Sequence, residues 1–155
     1  MWTTDEGRSL KLSSLQGRTQ VVVMFFANCQ SACPLLVHDM KRIEQALPAD
    51  LRDRVGFTLV TFDPDRDTVE SLHAYRSRNQ LDRQHWTLLR GKPDDIQELA
   101  VLLGIKYKKD AQGQFAHSNL ITVLNRAGEI VHQQFGLAQA PDATVLAIQG
   151  ADQEK

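Results

Sequence analysis

Two cysteines, Cys29 and Cys33, are the only thiols in this chain of 155 residues, and three residues separate them. Thiolates act as nucleophiles in disulfide exchange and as ligands for soft metal ions. Structural disulfides usually close longer loops, because the stabilisation grows with loop length. The pair is therefore better suited to redox chemistry or to a soft metal than to a structural cross-link.

The cysteine segment at 28–34 reads Asn-Cys-Gln-Ser-Ala-Cys-Pro. We expect a helix to begin at Pro34, because a proline at a helix start occupies a position whose N–H would be unpaired anyway. The positive end of that helix would stabilise thiolates near it. In helical geometry, positions i and i+4 lie on one face with Cβ atoms about 5–6 Å apart. Two sulfurs so placed could bind one metal ion or form a disulfide.

Two thiolates alone make an incomplete site for zinc, which takes four protein ligands in structural sites. Cu(I) is content with three or fewer ligands and prefers thiolate, and imidazole also suits copper. A copper site would therefore need one histidine presented by a separate loop. The chain offers five histidines, His38, His73, His85, His117 and His132.

Buried strands and amphipathic helices alternate along the chain. The apolar runs at 20–26 and 55–62 lack polar alternation, which is typical of central strands covered on both faces. Helices are predicted where apolar residues recur at helical spacing. The pattern predicts helices from Pro34, Val69 and Pro93, a strand at 85–89, a loop at 106–114, a strand-turn-strand unit at 119–135, a helix at 141–149 and a frayed tail at 151–155.

The predicted order is β-β-α-β-α-β-α-β-β-α, with parallel crossovers first and an antiparallel hairpin near the end. A central strand that delivers a cysteine pair to a helix N-terminus is the arrangement of the thioredoxin fold. We therefore expect an α/β protein with a thioredoxin-like fold, in which helices flank a central mixed β-sheet extended by an N-terminal β-hairpin. Residues 1–150 are expected to form a single domain, with a flexible tail at 151–155.

His117 is the histidine that this fold would bring to the cysteines. It lies just before the strand predicted at 120–124, and in a thioredoxin-like fold that junction faces the cysteine pair. Ordinary oxidoreductases hold a cis-proline there, whereas this chain has no proline at the junction. The environment is thus altered from dithiol exchange toward one that tolerates an imidazole.

A polar segment, Asp-Pro-Asp-Arg-Asp-Thr at 63–68, follows the second central strand. Asp63-Pro64 predicts a turn, and Asp67 or Thr68 is expected to cap the next helix. We expect a role beside the cysteine site only for Asp63.

The segments 28–34 and 63–68, with His117-Ser118 further on, occur in the order and spacing of the SCO/SenC family. The chain resembles that family over nearly its whole length. Members are thioredoxin-like proteins associated with copper delivery to cytochrome c oxidase.

The resemblance implies a copper ion as the bound metal, with Cu(I) the expected form and Cu(II) left open. It implies that Cys29, Cys33 and His117 are the metal ligands. By the same resemblance, Asp63 lies near the metal, where it would orient or tune the site rather than ligate.

The implied function is that of a copper-binding metallochaperone, which delivers copper to a recipient such as a cytochrome c oxidase subunit during assembly of that enzyme. The alternative is a partner-specific thiol–disulfide oxidoreductase that keeps copper-site cysteines reduced. Cys29 and Cys33 would then be the catalytic pair, with Cys29 attacking and Cys33 resolving the mixed disulfide. A thiol peroxidase is disfavoured, because such sites have a threonine three residues before the reactive cysteine, and this chain has Phe26 there.

Composition excludes several other classes. Eighteen Lys+Arg against nineteen Asp+Glu leave no basic excess for nucleic-acid binding. No apolar run approaches the roughly 18 residues of a membrane span, and the start is unlike a signal peptide. Membrane contact is therefore expected only through an anchor absent from this chain. We expect a monomer in the periplasm or cell envelope, facing outward from the inner membrane, where thiol redox state is managed.

Overall fold

The computed structural model describes residues 1–27, 32–112 and 115–153 of the chain. Strands and helices alternate through these ranges. In chain order the elements are β1 (Trp2–Thr4), β2 (Ser9–Leu10), a 3-10 helix (Leu12–Leu15), β3 (Thr19–Phe25), α1 (Ala32–Ala46), α2 (Ala49–Arg52), β4 (Val55–Thr61), α3 (Val69–Arg78), β5 (Trp86–Arg90), α4 (Pro93–Leu103), β6 (Tyr107–Lys109), β7 (Phe115–His117), β8 (Leu120–Leu124), β9 (Ile130–Phe135) and α5 (Asp142–Gln153).

Three parallel strands, β3, β4 and β5, form the centre of the main sheet. All seven residues of β3 and all seven of β4 are buried, as the uninterrupted apolar runs predict. Helices cover such strands on both faces, which is why polar alternation is missing from their sequences. The connection from β3 to β4 runs through α1 and α2, and the connection from β4 to β5 runs through α3.

Antiparallel strands extend the sheet on both sides, in the order β2-β1-β5-β4-β3-β8-β9. On one side β8 pairs with β3 and β9 pairs with β8. On the other side β1 pairs with β5 and β2 pairs with β1, where Trp2 lies opposite Leu10. The sheet is therefore mixed and carries an N-terminal hairpin, as predicted. The sequence pattern did not locate β1, the first strand of this hairpin.

A separate two-stranded sheet corrects the loop predicted at 106–114. β6 and β7 pair antiparallel, with Tyr107 opposite His117. Lysine-rich segments have low strand propensity, so the sequence of β6 carries no strand pattern. Tertiary packing supplies what propensity lacks, because the Tyr107 ring stacks on Phe62 with 4.7 Å between ring centroids.

Two helix boundaries differ from their predicted positions. α1 begins at Ala32, which leaves Pro34 inside the first turn, where its missing N–H breaks no helical hydrogen bond. α5 continues to Gln153, because Ala151 is 2% exposed and extends the packed face of the helix. The flexible tail expected from residue 151 is thus helical as far as Gln153, and 154–155 lie outside the described residues. Among the described helices, none is long and apolar enough to cross a bilayer.

Buried apolar side chains form one core that extends along the chain from Trp2 to Ile148. The helical spacing after Pro34 is accounted for, because Leu36, Met40 and Ile43 of α1 are each completely buried. The core therefore fixes α1 against the sheet and sets the direction in which its first turn points.

Gly91 follows β5 where the ring of Trp2 packs against the backbone. A Cβ atom at residue 91 would lie 2.6 Å from Cε3 of that buried ring. We expect Gly91→Ala to lower the free energy of unfolding, measured in urea, by about 1–3 kcal/mol, since the ring must move. Gly150→Ala is the matched control: a Cβ there meets nothing within 4 Å in α5, and alanine should add up to ~1 kcal/mol. Equal stabilities of the two variants would contradict this packing.

Candidate metal centre

The carboxyl ends of β3 and β4 define the edge of the sheet at which the candidate site lies. The strands are parallel, and Phe25 lies opposite Thr61 where both of them end. α1 starts at Ala32, shortly after the end of β3, so its first turn follows this edge. The backbone of Cys33 lies in that turn, and the structure describes only this backbone and not the Cys33 side chain. Cys29 lies outside the described residues.

Asp67 fastens the chain immediately before the cysteine segment. Its Oδ2 accepts hydrogen bonds from the backbone N–H of Ala27, at 2.9 Å, and from the Thr61 hydroxyl, at 2.5 Å. The carboxyl group is completely buried, and its Oδ1 has no hydrogen-bond partner among the described residues. Burial raises the pKa of Asp67, because a buried carboxylate loses its hydration. Asp67 therefore ties the loop after β4 to the last described residue before Cys29.

Thr68, not Asp67, caps α3. The Thr68 hydroxyl oxygen accepts a hydrogen bond from the backbone N–H of Ser71 at 3.2 Å. The sequence left both residues open as caps, because both side chains accept hydrogen bonds from free helical N–H groups. The helix begins at Val69, so the capping position falls on Thr68 and releases Asp67 for its contact with Ala27.

Asp63 is 3% exposed and lies in the same loop. Its backbone N–H donates to the Thr61 hydroxyl at 2.9 Å, and its carboxylate Oδ2 accepts a hydrogen bond from Nε of Arg66. The predicted placement of Asp63 beside the metal stays a prediction. Its described contacts make it part of the loop that Asp67 holds.

Arg90 supports this loop from the end of β5. Its guanidinium donates to the backbone carbonyl of Asp67 at 3.0 Å and to that of Pro64 at 2.7 Å. No sequence pattern marks Arg90, since the two carbonyls lie 23 and 26 residues away along the chain. The loop at 63–67 is thus held from β3, β4 and β5.

His117 lies at this edge of the sheet because its ring packs against the residues that follow the central strands. Phe26 follows β3 and Phe62 follows β4. The centroid of the imidazole is 6.1 Å from that of Phe26, edge to face, and 5.2 Å from that of Phe62. The half-buried imidazole therefore lies beside a residue three positions before Cys29.

One nitrogen of His117 is set by the backbone. Nδ1 lies 3.0 Å from the carbonyl oxygen of Ser118. A carbonyl oxygen only accepts hydrogen bonds, so Nδ1 carries the proton and donates it. In the neutral ring the lone pair is then on Nε2, which is the nitrogen able to bind a metal. A hydrogen bond from the second nitrogen is the usual way in which proteins orient such a ligand.

Three of the other histidines have different surroundings. His38 is exposed on α1, as expected. His73 has its Nδ1 3.5 Å from a carboxylate oxygen of Asp5. His132 has its Nε2 3.1 Å from the hydroxyl of Thr144. Their contacts distinguish them from His117, whose ring packs against the ends of the central strands.

His85 belongs to a separate group of polar side chains, at the amino end of β5. Its Nδ1 lies 2.8 Å from a carboxylate oxygen of Asp82, and its Nε2 lies 3.3 Å from one of Asp53. Atoms of Glu44, Asp82 and His85 that could bind a metal lie within 4.8 Å of one another. Glu44 already accepts from the indole N–H of Trp86 at 3.0 Å, and burial raises its pKa. The group satisfies its own hydrogen bonds at the edge opposite to His117.

Comparison with known proteins points to one family. The family model described as SCO1/SenC matches residues 2–150. A Stutzerimonas stutzeri protein named as a candidate copper-binding protein is 28% identical over 121 residues, which are 76% of this chain and 58% of that protein. A SCO1 protein homologue of Bacillus subtilis is 24% identical over 145 residues, 92% of this chain and 75% of that protein. The chain thus matches less than two thirds of the first of these relatives.

Solved structures share the architecture. ScoI of Bradyrhizobium japonicum with copper bound has a TM-score of 0.80 at 23% identity, over 97% of this chain and 95% of that one. A SCO1/SenC family lipoprotein of Bacillus anthracis has a TM-score of 0.87 at 22% identity, over 97% and 90%. BsSco, a Sco protein with an identified disulfide switch, has a TM-score of 0.86 at 22% identity, over 99% and 91%. These similarities confirm the predicted thioredoxin-like α/β fold.

The sequence match and the structural matches agree with each other. The family model covers nearly the whole chain, from β1 to the last helix. The chain belongs to the SCO1/SenC family.

Proposed function

We propose that this protein is a copper metallochaperone that binds copper through Cys29, Cys33 and His117 and passes it to a recipient protein. The observation that carries the proposal is the packing of the His117 ring against Phe26 and Phe62, at 6.1 and 5.2 Å. This packing brings an imidazole to the end of the strand that leads into the cysteine segment. The copper bound in the related ScoI of Bradyrhizobium japonicum gives independent support.

The donor set fits a soft monovalent cation. Two thiolates and one imidazole suit Cu(I) and are too few for a structural zinc site. A helix start at α1 would favour thiolate over thiol at a nearby cysteine, because the free N–H groups of a helix start carry partial positive charge. The hydrogen bond from Nδ1 of His117 to Ser118 leaves the lone pair on Nε2. Each residue would thus present its metal-binding form.

Transfer would proceed by ligand exchange, with copper as the cargo. A thiolate of the recipient forms a bond to copper while one of the three ligands of this chain leaves. Repeated exchange moves the ion without changing its oxidation state. A three-ligand site favours this route, since a soft cation with few ligands has room for an entering one.

A titration with Cu(I) tests the proposal. We expect the reduced protein to take one copper ion per chain from a chromophoric Cu(I) chelator, because the three ligands form one site. Alkylation of both cysteines beforehand is expected to abolish the uptake. One copper ion per chain retained after complete alkylation would contradict the proposal.

The second candidate function is partner-specific thiol–disulfide exchange, which the disulfide switch identified in BsSco favours. The thiolate of Cys29 would attack a disulfide of the partner and release one partner thiolate. Cys33 would then displace the second partner thiolate, leaving a disulfide in this chain and two reduced cysteines in the partner. We expect this exchange to be slower on a general disulfide substrate than on a copper-site peptide. No turnover on any copper-site peptide would remove this function.

Recipient and location follow from the same proposal. BsSco is described as a member of the Sco family of cytochrome c oxidase assembly proteins, which supports a subunit of that oxidase as the recipient. The Bacillus anthracis relative is a lipoprotein, which supports a place in the cell envelope or periplasm. We propose that the chain acts there as a monomer.

A further inference from the structure

The β6–β7 hairpin carries both His117 and a group of exposed lysines. Lys106, Lys108 and Lys109 are exposed, and they precede or belong to β6. The hairpin is joined to the segment after His117, because the backbone N–H of Lys106 donates to the Ser118 hydroxyl at 3.1 Å and the N–H of Ser118 donates to the Lys106 carbonyl at 2.9 Å. The lysines therefore keep a fixed relation to the candidate metal ligand.

The two faces of this hairpin differ in character. Tyr107 and His117 are opposite each other and both pack against Phe62. Side chains alternate along a strand, so Lys108 and its partner Ala116 project to the other face, where both are exposed. The hairpin thus presents Lys108 on its outer face, beside a half-buried imidazole, while Lys109 is exposed at the end of β6. A shallow depression on it is lined by Lys106, Tyr107, Lys108, Ala116, His117 and Ser118.

The lysines form no ion pairs with the described side chains. The chain as a whole has a net charge of −1, so the positive charge on this hairpin is local. The three lysines outnumber Asp110, the exposed carboxylate that follows them, so the segment 106–110 is positive overall and gains from a negatively charged partner. A patch of this kind is a site of electrostatic steering rather than a source of fold stability.

Charge also bears on the transfer step. Cu(I) held by two thiolates and a neutral imidazole has a net negative charge, because two thiolates outweigh a monovalent cation. A recipient that offers thiolates is negative at the same place, so the two sites repel as they approach. At about 0.1 M ionic strength, charges interact over roughly 10 Å. Lys108 lies opposite Ala116, the residue before His117, so the lysines are near this ligand along the hairpin.

We propose that this hairpin is the docking surface for the copper recipient, and that the recipient presents acidic side chains around its metal-accepting thiols. The inference rests on the proposed function and adds the chemistry of the partner. Lys106, Lys108 and Lys109 would offset the repulsion between the two thiolate sites and align His117 with the entering ligand. The imidazole could then leave the copper while the recipient is held in place.

The test uses two synthetic peptides that each contain two cysteines and one histidine. One peptide has four glutamates flanking these residues and the other has four lysines. Transfer of Cu(I) from the loaded protein to each peptide is followed by stopped-flow spectroscopy at low and high salt. The variant K106E/K108E/K109E is compared with R8E/R78E/R83E, which makes the same change in charge at exposed arginines outside the hairpin.

We expect the wild type to transfer copper at least tenfold faster to the acidic peptide at low salt, with the difference shrinking at high salt. The lysine variant should lose this preference, and the arginine variant should stay within twofold of the wild type. Copper content is measured before transfer. Normal loading with equal rates to both peptides, or equal losses in both variants, would overturn the docking inference alone. Failure of the wild type to load copper would overturn the proposed function together with it. Lysine-dependent binding to anionic lipid vesicles, with unchanged transfer rates, would assign the patch to a membrane surface and would also overturn the inference.

Discussion

We expect His117→Ala to lower the affinity of the reduced protein for Cu(I) by at least about 100-fold, and Cys33→Ser to lower it further. Loss of a partner that only orients a metal ligand typically costs about 10- to 100-fold in affinity, so loss of a ligand should cost no less. A serine hydroxyl is a hard, neutral donor and replaces a soft thiolate poorly. Affinities are measured by competition with a chromophoric Cu(I) chelator.

His38→Ala is the matched control for these variants. His38 is exposed on α1, five residues after Cys33, so its loss removes an imidazole near the site in sequence without touching the proposed ligand set. We expect its copper affinity to equal that of the wild type within twofold. If His117→Ala and Cys33→Ser both hold copper as tightly as His38→Ala does, the ligand assignment is wrong.

The second large effect is expected at Asp67. Asp67→Ala deprives the Ala27 N–H and the Thr61 hydroxyl of their shared acceptor. Leaving buried donors unsatisfied costs about 1–3 kcal/mol each, so we expect the free energy of unfolding to fall by about 2–4 kcal/mol. The Ala27 contact lies directly before the cysteine segment, and copper affinity should fall as well. Urea unfolding and the chelator competition measure the two effects.

The pH dependence of stability separates the ionisation of Asp67 from its hydrogen bonds. Burial raises the pKa of Asp67 above its ordinary value of 3.8, so the folded state retains the proton to higher pH than the unfolded state does. The stability that this proton provides is complete below pH 3.8 and is lost as the pH rises through the folded-state pKa. Asp67→Asn cannot ionise, so its stability relative to the wild type should improve as the pH rises through this window.

Asp65→Asn is the control for that pH series. Asp65 lies in the same loop but is exposed, and the substitution removes the same charge. We expect its stability to follow the wild-type pH dependence. A wild type and an Asp67→Asn variant with parallel stability curves between pH 3 and pH 7 would show that Asp67 titrates normally.

The sequence was sufficient for the elements whose signal is local. The apolar runs that form β3 and β4 are buried along their whole length, so each residue in them indicates a buried strand. Helix α1 was equally clear, because Leu36, Met40 and Ile43 form its buried face. The ends of elements were less clear. Whether the chain at 151–153 is helical depends on the packing of Ala151, which no neighbouring residue reveals.

Contacts between distant segments were beyond the reach of the sequence pattern. Asp67 and Thr68 are equally good caps, and only the start of α3 at Val69 decides between them. The hydrogen bond from Ala27 to Asp67 spans 40 residues, and a periodic pattern of apolar residues does not predict such a contact.

The position of His117 could be predicted from the sequence for a different reason. β8 runs antiparallel to β3, so the segment before β8, which contains His117, lies at the carboxyl end of β3. The sequence could not give the ring contacts themselves. The hairpin formed by β6 and β7 was missed because the lysines in it have low strand propensity, while the stacking of Tyr107 on Phe62 depends on the whole fold.

X-ray absorption at the copper edge reports the atoms bound to the metal and therefore tests the proposed ligands Cys29, Cys33 and His117. The protein is reduced, loaded with one equivalent of Cu(I) and compared with His117→Ala prepared in the same way. We expect a shell of two sulfur atoms and one nitrogen atom in the wild type, with the nitrogen lost from the variant. A wild-type shell without sulfur, or one with two sulfur atoms and a nitrogen that persists in His117→Ala, would contradict this ligand assignment.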